Sequence, residues 1–128
     1  MNAATLSAYA PRALAVLRIV AALIFLEHGT QKLLGFPASS FSPAFLTLPW
    51  IAGAIEIVGG IMLLVGFQTR IVAFICSGEM AVAYWMGHAP KNFFPALNGG
   101  DAAILYCFVF LYFVFSGPGA WAVDNKKV

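Results

Sequence analysis

An apolar run interrupted by charged side chains, residues 18–35, constrains the fold of this chain more than any other feature. The middle of the run is apolar enough to enter a lipid bilayer, yet the run carries Arg18, Glu27, His28, Gln31 and Lys32. A charged side chain at the centre of a bilayer costs roughly 2.5–3.5 kcal/mol on insertion scales. Such side chains therefore face a protein interior or a water-filled cavity. We expect the rest of the chain to form a wall around this helix.

The helical spacing of this run places its cations on one stripe. At about 100° per residue, Lys32 lies within about 40° of Arg18, and His28 lies about 80° away. The alternative for Arg18 and Lys32 is that each lies near a helix end and extends to a membrane surface. Glu27 lies on the opposite side of the helix, so it needs a different partner, such as a second subunit.

The composition predicts an integral membrane protein. Hydrophobic residues make up 62% of the 128 residues and charged residues only 9%, whereas soluble domains average about 25% charged residues. The length allows one domain, residues 1–128, and the net charge of +2 is too small to indicate nucleic-acid binding. Cys76 and Cys107 lie in apolar runs without a C-x-x-C motif, so they are interpreted as two buried thiols.

We predict an all-α fold, a bundle of four transmembrane helices at about residues 13–34, 49–67, 70–87 and 100–116. Residues 1–11 form a short lead before the first span. In the second span, Gly53, Glu56 and Gly60 lie on one face, where another helix can approach closely. The distribution of Lys and Arg places both termini in the cytoplasm, because four of these cations fall on one side: Arg12, Arg70, Lys126 and Lys127.

This topology collects most of the remaining polar groups in the outer half of the bundle, with Lys91 in an outer loop. The candidate pocket residues are Arg18, His28, Lys32, Glu56, Glu79, Asn98 and Asp101. We expect at least one buried ion pair between the cations His28 and Lys32 and the acids Glu56 and Glu79. No metal is predicted: His28 and His88 are the only histidines, and no metal-binding motif such as H-E-x-x-H is present.

Several stretches of the sequence resemble the DoxX family. They are Arg18 with HGTQKLLGF (residues 28–36), GAIEIVGGIMLLVGFQTR (residues 53–70) and NGGDAAILY (residues 98–106). The resemblance implies a four-helix, multi-pass protein of the bacterial inner membrane with both termini inside. The resemblance does not assign roles to individual residues. The sequence matches the family motif at six positions: Arg18, His28, Lys32, Glu56, Arg70 and Asn98.

The resemblance also implies functions of several kinds. DoxD is a subunit of a thiosulfate:quinone oxidoreductase, mycobacterial DoxX is associated with a superoxide dismutase and a sulfurtransferase, and distant eukaryotic relatives assist the assembly of membrane receptors.

Three functions fit the sequence. The first is a redox-associated membrane subunit with a quinone pocket, in which His28 and Lys32 bind the quinone carbonyls, Glu56 or Glu79 handles protons, and the walls are Phe25, Phe108 and Tyr112. Its alternative is an ion-pair network that only fixes helix register. The second function is a structural or assembly subunit, in a homo-oligomer or a larger complex in the lipid bilayer. The third is a small-solute transporter formed by an oligomer. No nucleophile–base pair is readable, so a catalytic activity of the chain alone stays open.

Overall fold

The computed structural model describes residues 2–126, and every regular element in this part of the chain is helical. The all-α prediction is therefore confirmed. The four long helices are α1 (Ala3–Leu34), α2 (Leu48–Val65), α3 (Thr69–Ala83) and α5 (Asp101–Ser116), and α4 (Pro95–Asn98) is a single turn. Lys127, one of the four cations used to predict the orientation, lies outside the described residues.

Helix α1 begins well before the predicted first span and includes the lead segment. The side chain of Asn2 caps it by accepting a hydrogen bond from the Thr5 amide at 2.9 Å. Pro11 lies inside the helix, where it removes one backbone donor. Alanine is frequent in the first turns, and its high helix propensity favours the continuation of the helix through this segment.

Helices α1 and α2 pack as an antiparallel pair through glycines. A Cβ added to Gly29 would lie 2.8 Å from the Gly53 carbonyl oxygen, and a Cβ added to Gly60 would lie 3.0 Å from Cβ of Leu26. The glycine face predicted for the second span is thus the face that contacts α1. Because the two backbones approach so closely, side chains that flank the glycines are enclosed between the helices.

Helices α3 and α5 form the second antiparallel pair. The Ser77 hydroxyl of α3 donates to the Cys107 carbonyl of α5 at 2.7 Å. Beyond Ala83, the helical path of α3 continues through a π-helix, Tyr84–His88, and a short 3₁₀ turn, Ala89–Lys91. The segment with helical hydrogen bonding therefore extends beyond the α-helix itself.

An arginine in the first helix of each pair binds the end of the second helix in the same way. Arg18 donates to the carbonyls of Leu63 and Leu64, three and two residues before Gly66. Arg70 donates to the carbonyls of Val114 and Phe115, three and two residues before Gly117. In both cases the cation donates to carbonyls of the last helical turn, where the helix itself supplies few donors. The two helix pairs therefore share the same kind of arginine cap.

A C-terminal strap, residues 117–125, closes the end of the bundle that holds Arg18. The Ala120 amide donates to the Pro11 carbonyl at 2.9 Å, and the Asp124 amide donates to the Gly66 carbonyl at 2.9 Å. The carboxylate of Asp124 accepts from the amides of Gln68 and Thr69 at 2.7 and 2.9 Å, and so caps the start of α3. We refer to this as the Arg18 end and to the opposite one as the Lys32 end.

Two helices, α1 and α2, are long and apolar enough to cross a membrane, judged by length and composition. Helix α5 is a shorter apolar helix of 16 residues. Large apolar side chains cover much of the exterior, including Val58, Phe74 and Phe115. A four-span arrangement with cytoplasmic termini stays a prediction from the sequence.

Candidate functional site

A buried ion pair joins α1 to α2 near the Lys32 end. Lys32 Nζ lies 2.6 Å from Glu56 Oε1, and the side chains of Lys32 and Glu56 are 22% and 2% exposed. Glu56 lies on the glycine face of α2, between Gly53 and Gly60, where the close approach of α1 excludes solvent. The structure therefore contains the ion pair expected between the outer cations and the acids.

Three carboxylate oxygens around this pair are buried without a hydrogen-bond donor among the described residues. They are Glu56 Oε2 and both oxygens of Glu79. Glu79, on α3, lies within electrostatic reach of both Glu56 and Lys32. Buried carboxylates without donors are energetically costly, so the cluster of Lys32, Glu56 and Glu79 has spare capacity to accept hydrogen bonds or take up a proton. We call these three residues the carboxylate cluster.

Aromatic rings from α1 and α5 pack together in the interior of the bundle. The Phe25 ring lies 4.8 Å from that of Phe110 and 5.6 Å from that of Tyr106, measured between centroids. His28, which is exposed, presents its ring edge-on to Tyr106 at 6.1 Å. His28 also lies within electrostatic reach of Glu56. These rings form an apolar surface in the Lys32 half of the bundle. The hydroxyl of Tyr106 and the imidazole of His28 are the polar groups at its edge.

Of the three side chains expected to line a slot, Phe25 is buried in the bundle, whereas Phe108 and Tyr112 are not. Phe108 and Tyr112 are 64% and 57% exposed, and they lie on the outer face of α5. The sequence shows that they share a face of the helix but not which face is inward. Packing against Phe25 orients α5 with Tyr106, Phe110 and Phe113 inward instead.

The structure does not bring Arg18 to the carboxylate cluster. Fourteen residues of helix, about 21 Å of rise, separate Arg18 from Lys32. The guanidinium is fully buried and donates to five carbonyls at 2.6–3.1 Å, two on α2 and three in the C-terminal strap. Its donors are therefore used in holding the Arg18 end together. A shared helical stripe records only the angle around the axis, which is why Arg18 was grouped with His28 and Lys32.

Asn98 and Asp101 lie apart from the cluster, in the connection to α5. Asn98 is 3% exposed; its amide donates to the carbonyl of Asn92 at 3.0 Å and its side-chain oxygen accepts from the Gly100 amide at 2.7 Å. His88 Nδ1 lies 3.1 Å from the Asn98 carbonyl. Asp101 is exposed at the first position of α5, where a carboxylate favours the positive end of the helix dipole. Asn98 thus organises a loop, and Asp101 stabilises a helix start.

Glu27 lies on an exposed face of α1, as its helical position indicated. It lines a cleft of about 480 Å³ between α1 and the loop that follows, together with Leu23, Leu26, Thr30, Phe36 and Pro37. A carboxylate among exposed apolar side chains such as Leu23 and Ile24 is unusual for a lipid-facing surface. This cleft is separate from the carboxylate cluster.

Neither thiol is paired: Cys76 is buried and Cys107 partly buried, and both are free. Within residues 2–126, no three side chains of His, Cys, Asp or Glu converge in a way that could hold a metal ion.

Sequence reasoning missed the inward role of Tyr106 and Phe110 and the capping roles of Arg70 and Asp124. One signal was readable for Arg70: the tetrapeptide RIVA occurs at residues 18–21 and again at residues 70–73. In both helices the arginine lies opposite the end of the partner helix, and the repetition predicts the same local role for the two arginines. The inward face of α5 has no comparable signal, since apolar residues surround the whole helix.

Comparison with known proteins identifies the family. The model of the DoxX family matches residues 13–89, which is more than half of the chain. An uncharacterised protein of Haemophilus influenzae is 50% identical over 131 residues, covering 94% of this chain and 95% of the relative. An uncharacterised membrane protein of Mycobacterium tuberculosis is 27% identical over 154 residues, covering 94% of this chain and 85% of the relative.

No solved structure matches the chain significantly. The family match covers α1 from residue 13 onward, all of α2 and α3, and the π-helix, and it includes Lys32, Glu56 and Glu79. Two helices able to span a membrane and a relative described as a membrane protein agree with it. The chain is a membrane protein that belongs to the DoxX family.

Proposed function

We propose that this chain is a redox-associated subunit of the bacterial inner membrane that binds the head group of a quinone at the carboxylate cluster. The observation that carries the proposal is a set of three buried carboxylate oxygens, Glu56 Oε2 and both oxygens of Glu79, for which residues 2–126 supply no donor. They lie near the Lys32 ammonium, which pairs with the other oxygen of Glu56. A site with one cation and two acids supplies both donors and acceptors inside an apolar bundle.

A quinone matches this combination of groups. Its carbonyl oxygens accept hydrogen bonds, which the Lys32 ammonium or a protonated carboxyl donates, and the hydroxyls of the reduced form donate to a carboxylate. Glu79, with both oxygens unpartnered, is suited to hold a proton during the exchange between the two forms. The rings of Phe25 and Tyr106 provide a flat apolar surface in the same half of the bundle. His28, the other cation proposed for this site, is positioned at the edge of Tyr106.

The test is a titration of the purified protein with a tailless benzoquinone. Glu79→Gln removes an acid that makes no ion pair, and Glu56→Gln removes the paired one. Because a hydrogen bond to a charged group contributes about 1.5–3 kcal/mol, each variant is expected to weaken binding at least about tenfold. Glu27→Gln is the control, because it removes the same charge from the exposed cleft.

Thermal unfolding of each variant shows whether it is folded. Unchanged quinone affinity in folded Glu79→Gln and Glu56→Gln would show that the carboxylates only fix helix register, and the proposal would fail.

A second function, a structural or assembly subunit of a larger complex, is favoured by one observation. Glu27 exposes a carboxylate among apolar side chains of α1, beside the cleft bordered by Phe36 and Pro37. A partner helix that carries a basic residue at this depth would neutralise it. The test is purification in mild detergent: loss of a stoichiometric partner in Glu27→Leu, but not in Glu79→Gln, supports this function, and a monomeric wild-type protein contradicts it.

A further inference from the structure

A groove of about 340 Å³ runs between α2 and α3, and its lining residues all belong to these two helices. Its lining is almost entirely apolar. The residues that carry the argument are Trp50, Ala54, Val58 and Gly59 of α2 and Ile75 and Cys76 of α3. Val58 and Ile75 are 59% and 52% exposed, so the groove opens onto the outer surface that lipid would cover. It is an indentation between two helices rather than an enclosed core cavity.

On α3, the groove continues directly toward the carboxylate cluster. Its α3 lining consists of Val72, Ile75 and Cys76, which are spaced at i, i+3 and i+4. Glu79 is the next member of this stripe, at i+7, and lies one turn closer to the Lys32 end. The stripe is apolar for about one turn and then ends in a buried carboxylate, so it joins an apolar surface to a polar one.

On α2, the floor of the groove leads to the same cluster. Gly59 lies against Cys76 so closely that an added Cβ would be 2.5 Å from the Cys76 sulfur. Glu56 precedes Gly59 by three residues, and its Oε2 is one of the oxygens without a donor. Gly59 and Cys76, which line the groove and contact each other, thus each lie one helical turn from an acid of the cluster.

We propose that this groove binds the prenyl tail of the quinone whose head group lies at the carboxylate cluster, and that the quinone enters from the bilayer between α2 and α3. This inference rests on the proposed function and adds to it the binding site of the ligand's tail and its route of entry.

The charge of the cluster favours a prenylquinone over a phospholipid as the occupant. Both molecules have an apolar chain that fits an apolar groove. A phospholipid places an anionic phosphate at the head of that chain, and Lys32, the one cation of the cluster, already pairs with Glu56, so the cluster has no further cation to balance that charge. A quinone head is uncharged and exchanges hydrogen bonds with the same carboxylates. The combination of an apolar groove and an acidic end therefore selects a neutral, hydrogen-bonding head group.

The test compares two ligands on the full-length protein in lipid nanodiscs: a tailless benzoquinone, and the same ring with a prenyl tail. Ala54→Phe fills the groove from α2. Ile61→Phe is the matched control, because Ile61 is on the same helix, 49% exposed, and outside the groove. Quenching of tryptophan fluorescence by the quinone ring reports binding, and Trp50 lines the groove itself.

We expect the wild type to bind the tailed quinone at least tenfold more tightly than the tailless ring, after correction for partitioning into lipid. Ala54→Phe is expected to abolish this advantage and leave the affinity for the tailless ring unchanged, and Ile61→Phe to behave as wild type. Val58→Trp provides a second filled groove at an exposed position, in case Ala54→Phe does not fold.

Two results separate the two proposals. If the wild type binds the tailless ring but shows no advantage for the tailed one, or if both groove variants keep the advantage, the groove proposal is overturned and the head-group site survives. If the wild type binds neither ligand, the proposed function itself fails.

Discussion

At the scale of single residues, the two members of the Lys32–Glu56 ion pair are not equivalent. Lys32 retains some exposure, whereas Glu56 is buried. Lys32→Met leaves an uncompensated carboxylate inside the bundle, and removing one partner of a buried pair costs about 3 kcal/mol or more. Glu56→Gln leaves a lysine that can extend toward water, and we expect a cost of about 1 kcal/mol, close to that of one lost hydrogen bond.

Thermal unfolding in detergent checks this asymmetry. The double variant Lys32→Met with Glu56→Gln is expected to be more stable than Lys32→Met alone, because no buried charge is left unpaired. Equal losses from the two single variants, with no recovery in the double variant, would contradict this description of the pair.

The binding of carbonyls by Arg18 depends on the forked shape of its guanidinium and not only on its charge. It donates to five carbonyls, and a lysine offers three donors from a single point. Arg18→Lys therefore leaves at least two carbonyls without a donor at a buried position, at a cost of about 1–3 kcal/mol each. Arg70→Lys is the control, since Arg70 is exposed and binds two carbonyls. We expect a clear fall in Tm for the first variant and little change for the second; matching shifts would contradict the role given to Arg18.

Residue identity allowed part of this site to be predicted. Lys32 and Glu56 are ionisable residues in apolar runs. Because an unpaired charge is costly in such an environment, their ion pair was foreseeable. The role of Arg18 in binding carbonyls was not foreseeable, because any residue has a backbone carbonyl and the sequence therefore gives no signal for these partners. Three of these carbonyls belong to residues about one hundred positions away, in the C-terminal strap.

At the scale of helices, the α1–α2 contact depends on the absence of side chains at particular glycines. Gly29→Ala places a methyl group 2.8 Å from the Gly53 carbonyl oxygen and from Ile57. Overpacking of this kind typically costs about 1–3 kcal/mol. Gly78→Ala is the matched control within α3: an added Cβ has no atom within 4 Å there, and the gain in helix propensity is about 0.5–1 kcal/mol. In thermal unfolding, the Tm should fall for Gly29→Ala and rise for Gly78→Ala. A rise in Tm for Gly29→Ala would contradict the close packing of α1 and α2.

The start of α3 depends on a carboxylate from the C-terminal strap. Burial alone would raise the pKa of Asp124, but the hydrogen bonds from Thr69 and Gln68 and the nearby Arg18 charge outweigh it, so its pKa lies below the ordinary value of 3.8. The folded state therefore favours the ionised form. Its stabilising contribution is complete above the unfolded pKa and is lost as the pH falls through the lower, folded pKa.

Asp124→Asn tests this linkage between the strap and α3. The variant is expected to have a lower Tm than the wild type at pH 7, and the difference should shrink as the pH falls below 3.8, toward the folded pKa. A difference that stays constant down to pH 2 would show that the ionisation of Asp124 does not stabilise the strap.

Helix positions were more predictable than helix faces. The proline and glycine signals indicated where α2 and α5 begin and end to within a few residues. The face of α5 was not predictable, because apolar residues surround that helix and an amphipathic pattern is missing. The early start of α1 was not foreseen either, since Pro11 was interpreted as a boundary although it lies within the helix.

At the scale of the whole molecule, two helix pairs with matching arginine caps enclose one polar site. The caps and the C-terminal strap stabilise the Arg18 end, while the unpartnered carboxylates lie toward the Lys32 end. Stabilising contacts and spare hydrogen-bonding capacity are thus separated along the bundle axis. This separation predicts that changes at Glu79 alter ligand binding with little effect on folding, and that changes at Arg18 do the reverse.

The most direct test of the central claim is a mass-spectrometric measurement of the quinone retained by the protein after purification in mild detergent. The comparison uses the wild type, Glu79→Gln and the control Glu27→Gln, each shown to be folded by thermal unfolding. We predict that the wild type and Glu27→Gln retain a prenylquinone at close to one molecule per chain, and that Glu79→Gln retains at most a tenth of that amount. Equal retention by all three proteins, or a wild type without quinone, would contradict a quinone site at the carboxylate cluster.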